Sequence, residues 1–136
     1  MKNLKVLILE DDLKTLSVIM NGLFDLEEKL FDDHINIAVT VFSEYLSVEN
    51  YLNKIDKPNF DIILLDRDCK LGGSFHAINV KKFGADKFIS ISTQPEYNET
   101  ANRMGIKRSV RKDYKHLDVF CDDLIQQIEQ IANLIV

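Results

Sequence analysis

The sequence predicts an α/β fold with a parallel sheet, on three observations. Two short runs, Val6-Leu7-Ile8-Leu9 and Ile62-Ile63-Leu64-Leu65, are wholly apolar and stop abruptly at acids. Stretches with helical spacing separate the apolar runs from one another. Two further runs are half polar, as edge strands would be. Alternation of this kind argues for strands joined by crossover helices.

The apolar runs suit central strands covered on both faces by helices, and Phe88-Ile89-Ser90-Ile91 is a weaker third of that kind. In the next segment Ile35, Ile37, Val39 and Val41 alternate with Asn36, Ala38 and Thr40. Ile106-Lys107-Arg108-Ser109-Val110-Arg111 is short and half polar, so both read as edges. Leu16, Ile19, Met20, Leu23, Leu26 and Leu30 line one side of a first helix. Tyr45, Val48, Leu52 and Ile55 do so for a second, with Ser43 as N-cap. A short third helix ends at Gly84 and a fourth at Gly105, each glycine a C-cap. Thr93-Gln94-Pro95-Glu96 reads as a capping box for the fourth. The last helix covers about 117–135. Polar second and fifth strands at the edges give the order 2-1-3-4-5.

The 136 residues fit one domain, 1–136, and can bury a core without staples. A net charge of −5 and the lack of a basic run argue against nucleic acid as a partner. No stretch is long and apolar enough for a membrane span, and Met1-Lys2-Asn3-Leu4-Lys5 does not open a signal peptide. Cys69 and Cys121 form no paired motif, and neither has a thiolate-stabilising context, which suits a reducing cytoplasm. His34, His76 and His116 are scattered and read as surface or core positions.

Polar residues fall at the strand ends. The first strand ends in Glu10-Asp11-Asp12, the third in Asp66, the fourth in Ser92-Thr93 and the fifth in Lys112. Ligands of open α/β sheets bind outside the carboxyl ends of the strands, where the strand order reverses. With order 2-1-3-4-5 that point lies between the first and third strands, so Glu10, Asp11 and Asp66 converge there, flanked by Ser92 and Lys112. Three carboxylates at one point call for a cation, and oxygen ligands suit Mg2+. Lys112 would balance an incoming phosphoryl group, Ser92 would donate to one of its oxygens, and Asp66 would be the nucleophile. Asp12 reads better as the start of a helix than as a ligand.

Leu7-Ile8-Leu9-Glu10-Asp11-Asp12, Asp61-Ile62-Ile63-Leu64-Leu65-Asp66, Ile91-Ser92-Thr93 and Val110-Arg111-Lys112 together resemble the receiver domain of two-component response regulators. The resemblance runs along essentially the whole chain. It implies a flavodoxin-like (βα)5 three-layer sandwich with a five-stranded parallel sheet of order 2-1-3-4-5. It also implies Mg2+ bound by Glu10, Asp11, Asp66 and the backbone carbonyl of Asp68, and phosphorylation of Asp66 with Ser92 and Lys112 contacting the phosphoryl group. Catalysis would extend only to the domain's own phosphorylation and dephosphorylation. The implied partners are a histidine kinase or phosphotransfer protein, and an output protein or a C-terminal output domain outside this sequence.

The chain departs from the family pattern in several places. Lys70 and Asp113 stand where prolines are usual. Without proline the Lys112-Asp113 bond is expected to be trans or strained, which could move Lys112. The loop Asp68-Cys69-Lys70-Leu71-Gly72-Gly73 is rich in glycine, and Thr93 is larger than usual and would narrow phosphoryl access. Ser109 takes the place of the family's switch aromatic.

Two other functional readings remain open. One is a degenerate receiver that docks without phosphorylation. The other rests on Asp66-Arg67-Asp68, which also resembles the DxD signature of haloacid-dehalogenase-type phosphatases, although that motif normally sits on the first strand. Finally, Leu117, Cys121, Leu124, Ile128, Ile131 and Ile135 form a heptad-like seam. Packing on the sheet is the simpler reading of it, and a homodimer contact through the last turn the alternative.

Overall fold

The two uninterrupted apolar runs lie side by side in the middle of a sheet. The computed structural model describes residues 2–55, 59–68 and 78–135. In chain order they form β1 (Lys2–Leu9), α1 (Leu13–Leu30), β2 (Ile35–Phe42), α2 (Tyr45–Lys54), β3 (Ile62–Asp66), α3 (Val80–Phe83), β4 (Phe88–Ser92), α4 (Pro95–Arg103), β5 (Arg108–Arg111) and α5 (Leu117–Ile135). The sheet has five strands in the order β2-β1-β3-β4-β5. Every neighbouring pair is parallel. This is the order expected from placing the half-polar strands at the edges.

The strand period of two sends alternate residues to opposite faces. Val6, Ile8, Ile62, Leu64, Ile89 and Ile91 pack with α1 and α5. Leu7, Leu9, Ile63, Leu65 and Phe88 pack with residues of α2, α3 and α4. Uninterrupted apolar runs are therefore required in β1 and β3, because each face meets a helix layer. β1 is longer than its apolar run, since Lys2 through Leu9 pair in register with Ile35 through Phe42.

Ile19, Leu23, Leu26 and Leu30 form the buried stripe of α1, whereas Met20 is 39% exposed. Met20 follows Ile19 by one helical step, about 100°, which turns it off the stripe. The seam of α5 packs inward: Leu117, Cys121, Leu124, Ile128 and Ile131 are buried, and Phe120 joins them. Ile135 packs at the edge of this core, as the simpler reading of the seam has it. Burial, with Asp122 and Asp25 nearby, pushes the Cys121 thiol up from its ordinary value.

Two local expectations are corrected. Glu44, not Ser43, is the N-cap residue of α2, and its side chain makes no capping bond. The Thr93 capping box does not form. α4 is capped one residue later, at Gln94, with Pro95 in its first turn. Ser92 Oγ accepts from the Gln94 N–H at 2.9 Å, while the Thr93 N–H turns away to Asp68. At the end of α1 a short turn, Phe31–Asp33, leads into His34 at φ 59°, a left-handed position held by the His34 N–H donating to the Phe31 carbonyl. Gly84 and Gly105 do take positive φ, 94° and 104°, at the ends of α3 and α4. Lys70, Cys69, His76 and the loop beyond Asp68 lie outside the described residues.

Candidate functional site

The site is built where the three inner strands and β5 end. Glu10 continues β1, its N–H donating to the Phe42 carbonyl. Its side chain turns inward and is 1% exposed. Glu10 Oε2 accepts from the N–H groups of both Asp11 and Asp12, each at 3.1 Å. Asp12 is the N-cap of α1 and accepts from Thr15 N–H at 2.9 Å and Thr15 Oγ1 at 2.6 Å. That leaves Glu10, Asp11 and Asp66 as the acidic cluster, each with a carboxylate oxygen within 4.8 Å of the others.

Lys112 crosses from the end of β5 into this cluster. Its backbone N–H donates to the Ser92 carbonyl at 2.9 Å, which extends the β4–β5 pairing by one step. Its Nζ lies 2.8 Å from Glu10 Oε1 and 3.0 Å from Asp66 Oδ1, and all three side chains are fully enclosed. There is no cis peptide bond among the described residues, so Lys112-Asp113 is trans. The trans bond does not draw Lys112 away. Asp113 instead nucleates a turn, its Oδ1 accepting from Lys115 N–H and its carbonyl from His116 N–H. Tyr114 then sits over the ammonium, 5.6 Å from Nζ to ring centroid.

Burial pushes the Glu10 carboxyl up to about 7, and the neighbouring Asp66 charge adds to this against the opposing pull of Lys112. For Lys112 burial acts downward, but Asp66 and Glu10 outweigh it and hold the ammonium above its ordinary value. Lys112 thus balances part of the charge of the two buried carboxylates. The donor set is all carboxylate oxygen, which fits a hard divalent cation such as Mg2+ better than a soft metal.

Ser92 is fully buried at the end of β4. Its Oγ donates to Asp68 Oδ1 at 2.7 Å, and the Thr93 N–H donates to Asp68 Oδ2 at 2.6 Å. The Asp68 N–H in turn donates to Asp66 Oδ1 at 2.9 Å. Asp68 therefore enters the site by its side chain, and its bond to Ser92 is the part that sequence reasoning did not foresee. The shared signal was available, an acid two residues past the acceptor position, but not its partner on β4.

Sequence reasoning also missed Arg67. This side chain is 4% exposed. Its guanidinium lies 5.9 Å from the Tyr97 ring centroid and 3.9 Å from Met104 Sδ on the α4 side. Ser90, buried in β4, donates to Asn98 Oδ1 of α4 at 2.7 Å. Ser109 is exposed on β5, beside a groove of about 520 Å³ lined by Pro95, Asn98, Asn102, Arg103 and Arg111.

No family model and no curated protein sequence matches the chain. Solved structures do. A response-regulator receiver domain from Rhodospirillum rubrum superposes with a TM-score of 0.66 at 16% identity, covering 96% of this chain and 94% of that one. The Mn2+-bound form of the response regulator Rcp1 gives 0.65 at 15% identity, with 92% and 91% covered. The bacteriophytochrome response regulator AtBRR gives 0.63 at 12% identity, with 97% and 94% covered. With the strand order and the helix layers above, these likenesses establish that the fold of this chain is that of the response-regulator receiver domain.

Proposed function

We propose that this chain is a phosphorylation-dependent receiver whose acceptor is Asp66. The observation that carries the reading is the enclosed triad of Glu10, Asp66 and Lys112, with Lys112 Nζ within 3.0 Å of both carboxylates at the point where strand order reverses. A purely structural sheet end gains nothing from two buried carboxylates and a lysine, because burying charge costs more than packing apolar groups there.

In this reading an Asp66 oxygen attacks the phosphorus of a donor phosphohistidine. The new O–P bond forms as the P–N bond breaks, and the imidazole nitrogen leaves with the electron pair. The product is an acyl phosphate. Lys112 balances the added charge, and Ser92 donates a hydrogen bond to a phosphoryl oxygen. Glu10, Asp11 and Asp66, with the Asp68 carbonyl, would hold Mg2+. That cation would neutralise charge on the transferring group.

The partners are a histidine kinase or phosphotransfer protein and an output protein or domain, and the setting is the cytoplasm. In keeping with this, no helix among the described residues is long and apolar enough to cross a membrane. The test is modification by acetyl phosphate, or beryllium trifluoride binding, with and without Mg2+. Modification that needs Mg2+ and is lost in Asp66→Asn is expected. A wild type that is never modified would overturn the reading and leave a docking module that works without phosphate.

A further inference from the structure

The end of β4 offers two donors to the site, the Ser92 hydroxyl and the Thr93 backbone N–H. Both are directed at one carboxylate, that of Asp68, at 2.7 and 2.6 Å. A serine hydroxyl has a single proton to donate, and a backbone amide likewise. Ser92 Oγ already accepts from the Gln94 N–H, so its proton is left for Asp68 alone. Neither donor can serve a phosphoryl oxygen while Asp68 holds it.

The geometry points to Asp68 as an internal rival of the phosphoryl group. This rests on the proposed acceptor role of Asp66. The Asp68 N–H donates to Asp66 Oδ1 at 2.9 Å, so rival and acceptor belong to one tight turn. The Asp68 carboxylate presents two anionic oxygens to the donors that phosphoryl oxygens require. The bonds are short and charge-assisted, the stronger class of hydrogen bond. A phosphoryl group on Asp66 would also repel a carboxylate held this close. Acceptance of phosphate therefore requires the Asp68 side chain to leave Ser92 and Thr93.

Two consequences follow. The unmodified state is held by a specific contact rather than by the lack of one. The same contact ties the segment after β3 to the start of α4, so its release on phosphorylation loosens that connection. Ser109 supplies no ring on β5, and this carboxylate gives the chain another way to couple the acceptor to the β4–α4 junction.

The test is a double-mutant cycle on the full chain, read as beryllium trifluoride affinity in Mg2+. Asp68→Ala is expected to tighten binding roughly tenfold. In a Ser92→Ala background the gain from Asp68→Ala should shrink several-fold, because one contested donor is gone. An equal gain in both backgrounds would mean that Asp68 acts through its charge alone, and would overturn the proposal. So would no gain at all. Asp68→Asn, which keeps the shape and removes the charge, should give an intermediate affinity and guards against a folding defect in the alanine variant. Thr93 amide hydrogen exchange, measured with no anion added, reads the contact by itself and should accelerate at least tenfold in Asp68→Ala. Unchanged exchange would overturn the proposal whatever the anion does. Faster exchange with no anion binding in any variant would instead sink the acceptor role of Asp66, and the rivalry with it.

Discussion

Lys112 is held by charge on two sides, from Glu10 at 2.8 Å and Asp66 at 3.0 Å, in a place with no water contact. Removing one partner of a buried ion pair leaves the others uncompensated, a loss of about 3–5 kcal/mol. Glu10, already pushed up to about 7, can take a proton and soften the loss. Lys112→Ala is therefore expected to cost about 3 kcal/mol at neutral pH, at the low end of that range. Urea denaturation measures it, and an unchanged midpoint would show that the triad is not under the electrostatic constraint argued above. The positions of Glu10, Asp11, Asp66, Ser92 and Lys112 were legible because each ends a recognisable strand. The reach of Asp68 to Ser92 was not, since a hydrogen bond across 24 residues depends on how two loops lie, and no local pattern encodes that. The buried guanidinium of Arg67 was hidden for a similar reason: a charged residue beside an aspartate reads as solvated until α4 is seen to cover it.

Helix α1 approaches α5 closely at one point. A Cβ added at Gly22 would lie 2.7 Å from Cys121 Sγ and 2.8 Å from Ile125 Cγ1. Alanine in place of a mid-helix glycine ordinarily gains up to about 1 kcal/mol. Here overpacking costs about 1–3 kcal/mol and should win. Gly22→Ala is expected to lower stability by about 1 kcal/mol, and Cys121→Ala in the same chain should recover part of the loss by removing the nearer atom. A Gly22→Ala protein more stable than the wild type would show that the helices separate freely. The helices themselves were legible from their spacing, because a 3.6-residue period with a buried stripe leaves few alternatives. Their first residues were less so. Thr93 and Ser43 have the chemistry of caps, but a cap forms only where the chain enters at the right angle, and the Thr93 N–H is drawn instead toward Asp68. The seam of α5 likewise had two readings, and from Leu117 to Ile131 it packs within the chain.

Across the molecule, stability should be graded by place in the sheet. β1, β3 and β4 have neighbours on both sides, whereas β2 and β5 each have one. Amides of the inner strands should therefore exchange most slowly, near the rate set by global unfolding, and those facing outward from β5 much faster. Exchange by NMR checks this, and a β5 as protected as β3 would mean that its outer edge is covered in solution. Strand order was legible because polarity marks the edges and wholly apolar runs mark the interior. The length of β1 was not, because Lys2, Asn3 and Lys5 look like an ordinary polar lead-in until β2 is seen beside them. That early start of β1 has a further consequence. Lys2 Nζ donates to the Ile135 carbonyl at 2.7 Å, so the first and last described residues of the chain meet. They meet at the amino end of β1, whereas Glu10, Asp66 and Lys112 lie at the carboxyl ends of the strands. Anything joined to either end would emerge on the side away from the carboxylates. A short linker could also splice the two ends, making the domain a natural candidate for circular permutation with the site left undisturbed.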